Sequence, residues 1–158
     1  MRILGLDPGL RNTGFGILEK SSNQVRSVCF GTIKPPANKP LPERLKHLYV
    51  EITKIIDTYK PEVLAIEDTF YQKNVKSAIM LGQARGALLL AGANRNLICR
   101  EYAPRKVKMS VVGNGAASKE QVRYMISQIL SLPESPASLD ASDALAVGLC
   151  FINQEIGF

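Results

Sequence analysis

Four carboxylates in three distant stretches carry the chemistry this sequence could perform: Asp7, Glu67, Asp140 and Asp143. Asp7 closes the apolar run 3–6 and is followed by Pro8 and Gly9. Glu67 closes a second apolar run, 63–66, in the same pattern. Asp140 and Asp143 are three residues apart at the start of a largely apolar helix, which places them on one face. Each also has an ordinary structural reading. Asp before Pro-Gly commonly starts a turn. An acid at a helix start with another three residues later approaches a capping box, and acids there complement the helix dipole. The chemical reading gains weight if the four meet, because carboxylates held together repel one another unless a cation neutralises them. All-oxygen ligands suit Mg²⁺ or Mn²⁺, and no Cys/His set argues for zinc. With a basic surround, such a cluster fits two-metal phosphodiester hydrolysis. There one ion makes a hydroxide-like nucleophile from water and a second, roughly 3.5–4 Å away, stabilises the leaving oxygen.

The elements that would position these acids follow from the residue pattern. Residues 3–6 and 14–18 read as two strands of a hairpin turned by Pro8-Gly9. Residues 24–33 alternate as a third strand, with Val25, Ser27 and Cys29 against Arg26, Val28 and Phe30. A helix is predicted from Pro42 to Tyr59, with Leu45, Leu48, Ile52 and Ile56 on its apolar stripe. His47, on the polar face with no ligand partner nearby, reads as a solvated side chain. Pro61 ends that helix, and 62–67 reads as a buried strand parallel to the first, joined by a right-handed crossover. Neighbouring parallel strands that each end in an acid would set Asp7 beside Glu67, at the strand ends where open α/β sheets place their sites. Alternation turns Asp68 to the opposite face.

A helix over 75–93 is rich in small residues, with Gly82 and Gly86 four apart. The pair allows either a tight contact against the sheet or a seam between two copies of the chain. Residues 96–102 read as another strand. The segment after Pro104 is basic, with Arg105, Lys106 and Lys108, and turns at Gly113-Asn114-Gly115. Ser118 caps a helix reaching about Leu132, with Gln121 placed for a capping box. The last helix spans about 138–152.

At 158 residues the chain is expected to form a single domain, 1–158, large enough to need no disulfide staples. With 46% hydrophobic and 22% charged residues it has an ordinary globular composition. Its formal charge of +6 favours a polyanionic partner. Cys29, Cys99 and Cys150 fit no metal or redox spacing and read as free thiols in a reducing cytosol. No signal peptide is visible and no run of about 18 apolar residues occurs, so a cytoplasmic protein without a membrane span is expected.

The chain closely resembles the RuvC family of bacterial Holliday-junction resolvases. The resemblance rests on Gly5-Leu-Asp7-Pro-Gly-Leu-Arg-Asn-Thr-Gly-Phe-Gly16, Ala65-Ile-Glu67, Phe70, Leu81-Gly-Gln-Ala-Arg-Gly86, Val107-Lys-Met-Ser-Val-Val-Gly113, Lys119 and Asp140-Ala-Ser-Asp143-Ala-Leu-Ala146, in that order. It implies an α/β, ribonuclease H-like fold with a mixed central sheet and helices on both faces. It implies a homodimer that binds a four-way DNA junction and nicks two opposed strands symmetrically with Mg²⁺, or Mn²⁺ in its place, about two ions per site. The family resemblance further implies that Asp7, Glu67, Asp140 and Asp143 hold the metal and are catalytic. The last-helix position matched by Asp140 varies in the family between Asp and His. By the same resemblance Phe70 stacks on an unpaired base near the crossover, and Lys108 and Lys119 lie near the cut phosphate. A junction-binding protein and a branch-migration motor ATPase are the implied partners. Three other readings share parts of the pattern: a ribonuclease H-like nuclease on another substrate, such as an RNA:DNA hybrid; an actin-like or sugar-kinase-type ATPase, whose phosphate loop also follows an Asp-containing first strand; and a non-catalytic junction-binding protein, against which the presence of all four acids argues.

Overall fold

A computed structural model of the chain describes residues 1–68 and 74–157. Five strands form one mixed sheet in the order β3-β2-β1-β4-β5. They are β1 (Arg2–Asp7), β2 (Thr13–Lys20), β3 (Val25–Ile33), β4 (Val63–Glu67) and β5 (Ile98–Tyr102). The first three strands pair antiparallel, whereas β4 lies parallel to β1 and β5 parallel to β4. The parallel half requires crossovers, which are supplied by α1 (Leu41–Tyr59) and α2 (Val75–Ala93).

Period-2 alternation divides the sheet residues between two cores. Leu4, Leu6, Ile17, Leu64 and Ile66 meet Leu48, Ile52 and Ile56 of α1 and Ala84 and Leu88 of α2. Ile3, Leu18, Val63 and Ala65 face the other layer, made of α3 (Pro104–Val112), α4 (Lys119–Ile129) and α5 (Leu139–Phe151). By the same alternation Asp7 and Glu67 project towards α5.

Helix α5 is apolar on nearly all sides and is the centre of the molecule. It lies so close to β1 and β2 that a Cβ on Gly5 would stand 2.1 Å from the Ala144 carbonyl oxygen, and one on Gly14 would stand 1.9 Å from that of Asp140. Only a residue without a side chain tolerates such backbone contact. These two glycines therefore set the depth of α5 against β1, which ends in Asp7, and against β2 beside it.

The structure corrects two local expectations and assigns an element to one further stretch. Alternation along β3 breaks where β2 and β3 shift register at Ile17/Leu18. The extra residue, Val28, sends Cys29 to the α1/α2 side while Val25 stays on the α5 side. The basic stretch after Pro104, to which the residue pattern assigned no element, is the helix α3. Pro104 stands in its first turn, Gly113 closes it at φ 79°, and Val107 and Val111 are its buried pair. Finally, no capping box forms from Asp140 and Asp143. Ser138 is the N-cap and accepts from the Asp140 and Ala141 amides, which leaves both carboxylates unused by the helix end. Among the described residues no helix is long and apolar enough to cross a membrane.

Candidate active site

The four acids converge at the C-terminal ends of β1 and β4. Asp7 and Glu67 terminate adjacent parallel strands in register through Leu6 and Ile66. Asp140 and Asp143 come down onto them from the first two turns of α5. A cleft of about 750 Å³ is lined by Asp7, Glu67 and Asp140, and a smaller one of about 160 Å³ by Glu67 and Asp143. Lys119 borders both.

Lys119 reaches the cluster because of how α4 begins. The Ser118 hydroxyl accepts from the Gln121 amide at 3.1 Å, and the Gln121 side chain accepts from the Ser118 amide at 2.8 Å. This capping box fixes the first turn of α4 and aims Lys119 at α5, where its Nζ donates to Asp143 Oδ2 at 2.8 Å. Lys108, on α3, borders the smaller cleft beside Glu67 and Asp143.

The electrostatics are those of crowded, half-buried acids. Burial and then the charges of Glu67, Asp143 and Asp140 push the Asp7 carboxyl up to about 9, against the opposing pull of Lys119. Glu67 is raised by burial and by Asp143, while a hydrogen bond from Asp7 and the charges of Lys119 and Lys108 oppose the rise. Asp143 is raised chiefly by burial, with its bond to Lys119 as the main opposing effect. Lys119 is raised in turn, first by that same bond. The cluster thus keeps more negative charge in one place than its own cations neutralise, which favours the protonated form of Asp7.

The donor set fits a hard divalent cation: carboxylate oxygens with unrelieved negative charge, lining an open cleft. Among the described residues, no three His, Cys, Asp or Glu side chains already stand around a common point as a finished cage. Lys119 holds Asp143 by its ammonium instead.

The sequence profile of the family described as "Crossover junction endodeoxyribonuclease RuvC" matches residues 3–151. The chain belongs to the RuvC family. A RuvC of Geotalea uraniireducens is 47% identical over 156 residues, covering 99% of this chain and 91% of that protein. Thermus thermophilus RuvC superposes with a TM-score of 0.85, and the same protein solved in complex with Holliday junction substrate with 0.89. Both are 30% identical and cover 95% of this chain and 92% of theirs. RuvC proteins are metal-dependent hydrolases that cut DNA, and the sheet and helices described above form the ribonuclease H-like fold of the family.

Of the residues singled out by the RuvC resemblance, Asp7, Glu67, Asp140, Asp143, Lys108 and Lys119 line the two joined clefts. Phe70 lies outside the described residues. Asp68 sits on the opposite face as alternation required, 3.4 Å from Arg85 of α2, which also bonds Glu101. Sequence reasoning passed over Arg11, Asn12, Asn74, Lys76 and Ser77, which form much of the larger cleft. Arg11 stood inside the first motif, but nothing local distinguishes a turn arginine that borders a site from one in open solvent.

Proposed function

We propose that this chain, as one nuclease domain over residues 1–158, resolves four-way DNA junctions by hydrolysing phosphodiester bonds in two opposed strands, within DNA recombination and repair in the bacterial cytoplasm. The observation that carries the reading is the convergence of Asp7, Glu67, Asp140 and Asp143, with Lys119 and Lys108 beside them. Such a set handles a phosphodiester: carboxylates hold Mg²⁺ or Mn²⁺, and ammonium groups face the phosphoryl oxygens. About two cations held there would supply Lewis-acid stabilisation of the charge that develops on the attacked phosphate. Asp7 and Glu67, on a rigid sheet, fix one side of the cluster. Asp140 and Asp143, on the helix packed against that sheet, fix the other. Lys119 and Lys108 put positive charge where the phosphoryl oxygens gain negative charge. Phe70, five residues before α2, is assigned to stack on a base unpaired at the crossover.

The outer face of α2 supports a homodimer. A Cβ built on Gly82 or Gly86 meets nothing within 4 Å, so the glycines serve no contact inside the protomer. Val75, Ile79 and Leu90 are exposed on the same helix. An apolar stripe with two bare-backbone positions fits a second copy of the chain, and two copies supply two sites for two opposed strands. The family's junction-binding protein and branch-migration ATPase are the partners assigned to this dimer.

The test is cleavage of a labelled synthetic four-way junction with Mg²⁺, beside linear duplex and an RNA:DNA hybrid, with wild type, Asp7→Asn and Phe70→Ala. Paired nicks at symmetric positions on the junction alone are expected. They should be absent in Asp7→Asn and slowed in Phe70→Ala. Degradation of the hybrid with an intact junction would replace the substrate.

A further inference from the structure

The turn over residues 8–12, between β1 and β2, is held from three sides. The Thr13 side chain, fully buried, donates to the Gly9 carbonyl at 2.6 Å and accepts from the Gly9 amide at 3.2 Å. The Leu10 side chain is 7% exposed and packs in the α1/α2 core. Arg44 of α1 donates from Nη2 to the Leu10 carbonyl at 3.0 Å. What this anchoring leaves outside is polar: Arg11 and Asn12 are exposed and border the larger cleft with Asp7, Glu67 and Asp140. Lys76 and Ser77 of α2 border the same cleft.

Arg11 makes no ion pair among the described residues, although Arg2, Arg26, Arg85 and Arg95 each do. The local counter-ion for the acids is Lys119. A guanidinium held by a braced turn beside an acid cluster, and spent on no acid, is free for an outside anion. Its planar fork suits a phosphate, and bracing in advance removes the ordering cost of the turn on binding.

We propose that this turn is a phosphate-gripping prong: Arg11, with Lys76 in the same cleft, holds a backbone phosphate next to the one that is cut, and Arg44 is the positioning residue that braces the prong. The inference rests on the nuclease reading for its ligand, a DNA strand. It goes beyond that reading in assigning the grip on the strand to a turn that supplies no metal ligand.

The test is anisotropy titration of labelled four-way junction, linear duplex and single strand in EDTA, from about 50 to 200 mM salt. Arg11→Gln should weaken binding several-fold and reduce the slope of log K against log salt by about 1 per site. Arg11→Lys should restore the slope but not the full affinity, because it keeps the charge and loses the fork. Lys60→Gln, at the opposite end of the sheet beside the start of β4, should change neither. Arg44→Met should weaken affinity at an unchanged slope, and adding it to Arg11→Gln should cost nothing further. Wild-type slope and affinity in Arg11→Gln would overturn the prong, and additive losses in the double variant would overturn the brace. A wild type that shows no preference for the junction in EDTA and does not cut it when Mg²⁺ is supplied would overturn the substrate reading instead, while a slope loss on the DNA it does bind would uphold the prong.

Discussion

The Lys119 ammonium stands 2.8 Å from Asp143 Oδ2, so the acid cluster carries a cation of its own on a separate helix. The pair is lopsided: the Asp143 side chain is 16% exposed and that of Lys119 56%. A half-exposed lysine on a mostly buried acid is well placed to exchange partners. Its charge opposes the crowding of Asp143 and Asp7, and it borders both clefts.

Lys119→Met should therefore leave junction binding within a few-fold of wild type and lower single-turnover cleavage by about 10²-fold or more, the usual effect of deleting one preorganised stabilising group. Lys119→Arg should recover part of the rate. Cleavage by Lys119→Met at the wild-type rate under saturating protein would remove Lys119 from the chemistry.

Asp7 gives a stability prediction with a definite sign. Its carboxyl is raised from the usual 3.8 to about 9 in the fold. A group raised in this way contributes stability fully below its unfolded pKa, and that contribution is lost as pH climbs towards the folded value. In EDTA the melting temperature of the wild type should fall between about pH 4 and pH 9 more steeply than that of Asp7→Asn, so the inactive variant becomes the more stable protein at pH 8. Parallel melting curves across this range would show that Asp7 is not crowded as described.

The same crowding predicts the response to divalent ions. Mg²⁺ or Mn²⁺ should raise the melting temperature and EDTA should reverse the rise. At a concentration 100-fold above the dissociation constant the gain is about 2.7 kcal/mol. Because the ligands must lose protons to bind, the gain should grow with pH. Glu67→Gln and Asp143→Asn should each lose most of it. An equal gain in both variants would place the ions elsewhere.

The exposed glycines of α2 separate a seam from an idle surface. Within one protomer Gly82→Ala and Gly86→Ala meet no obstacle and should stabilise the helix by roughly 0.5–1 kcal/mol each. Gly82→Leu or Gly86→Leu should instead shift a dimer to monomer in analytical ultracentrifugation with the circular dichroism unchanged. Cleavage should then give unpaired single nicks. Dimers that survive both leucine variants would move the interface off this face.

Much of the framework was legible because it depends on short-range rules. The apolar run ending in Asp7, its repeat ending in Glu67, the crossover helix between them and the capping box at Ser118 are local patterns, and each is present. The β1–β4 parallel pair and the opposite facing of Asp68 followed from connection handedness and strand alternation. Helix α3 escaped because nine residues with three cations show a single buried pair, Val107 and Val111. Pro104 at its start and Gly113 after its end were the available signal. The bulge at Val28 escaped because register is settled between strands, not along one.

By itself the sequence determined which groups could do chemistry and which strands end in acids, since residue type, period and turn chemistry act over a few neighbours. Strand pairing set Asp7 beside Glu67, but tertiary packing decided how closely Asp140 and Asp143 approach them. Gly5 and Gly14 read only as small strand residues until α5 is laid against them, where they let Asp140 and Asp143 descend to Asp7. Ser138 had to take the helix cap before either aspartate was free. Lys119 met Asp143, and the turn carrying Arg11 was braced by Arg44, through contacts 24 and 34 residues apart along the chain. Such contacts arise from packing whole elements, and no local pattern encodes the distance between side chains that only the finished core brings together.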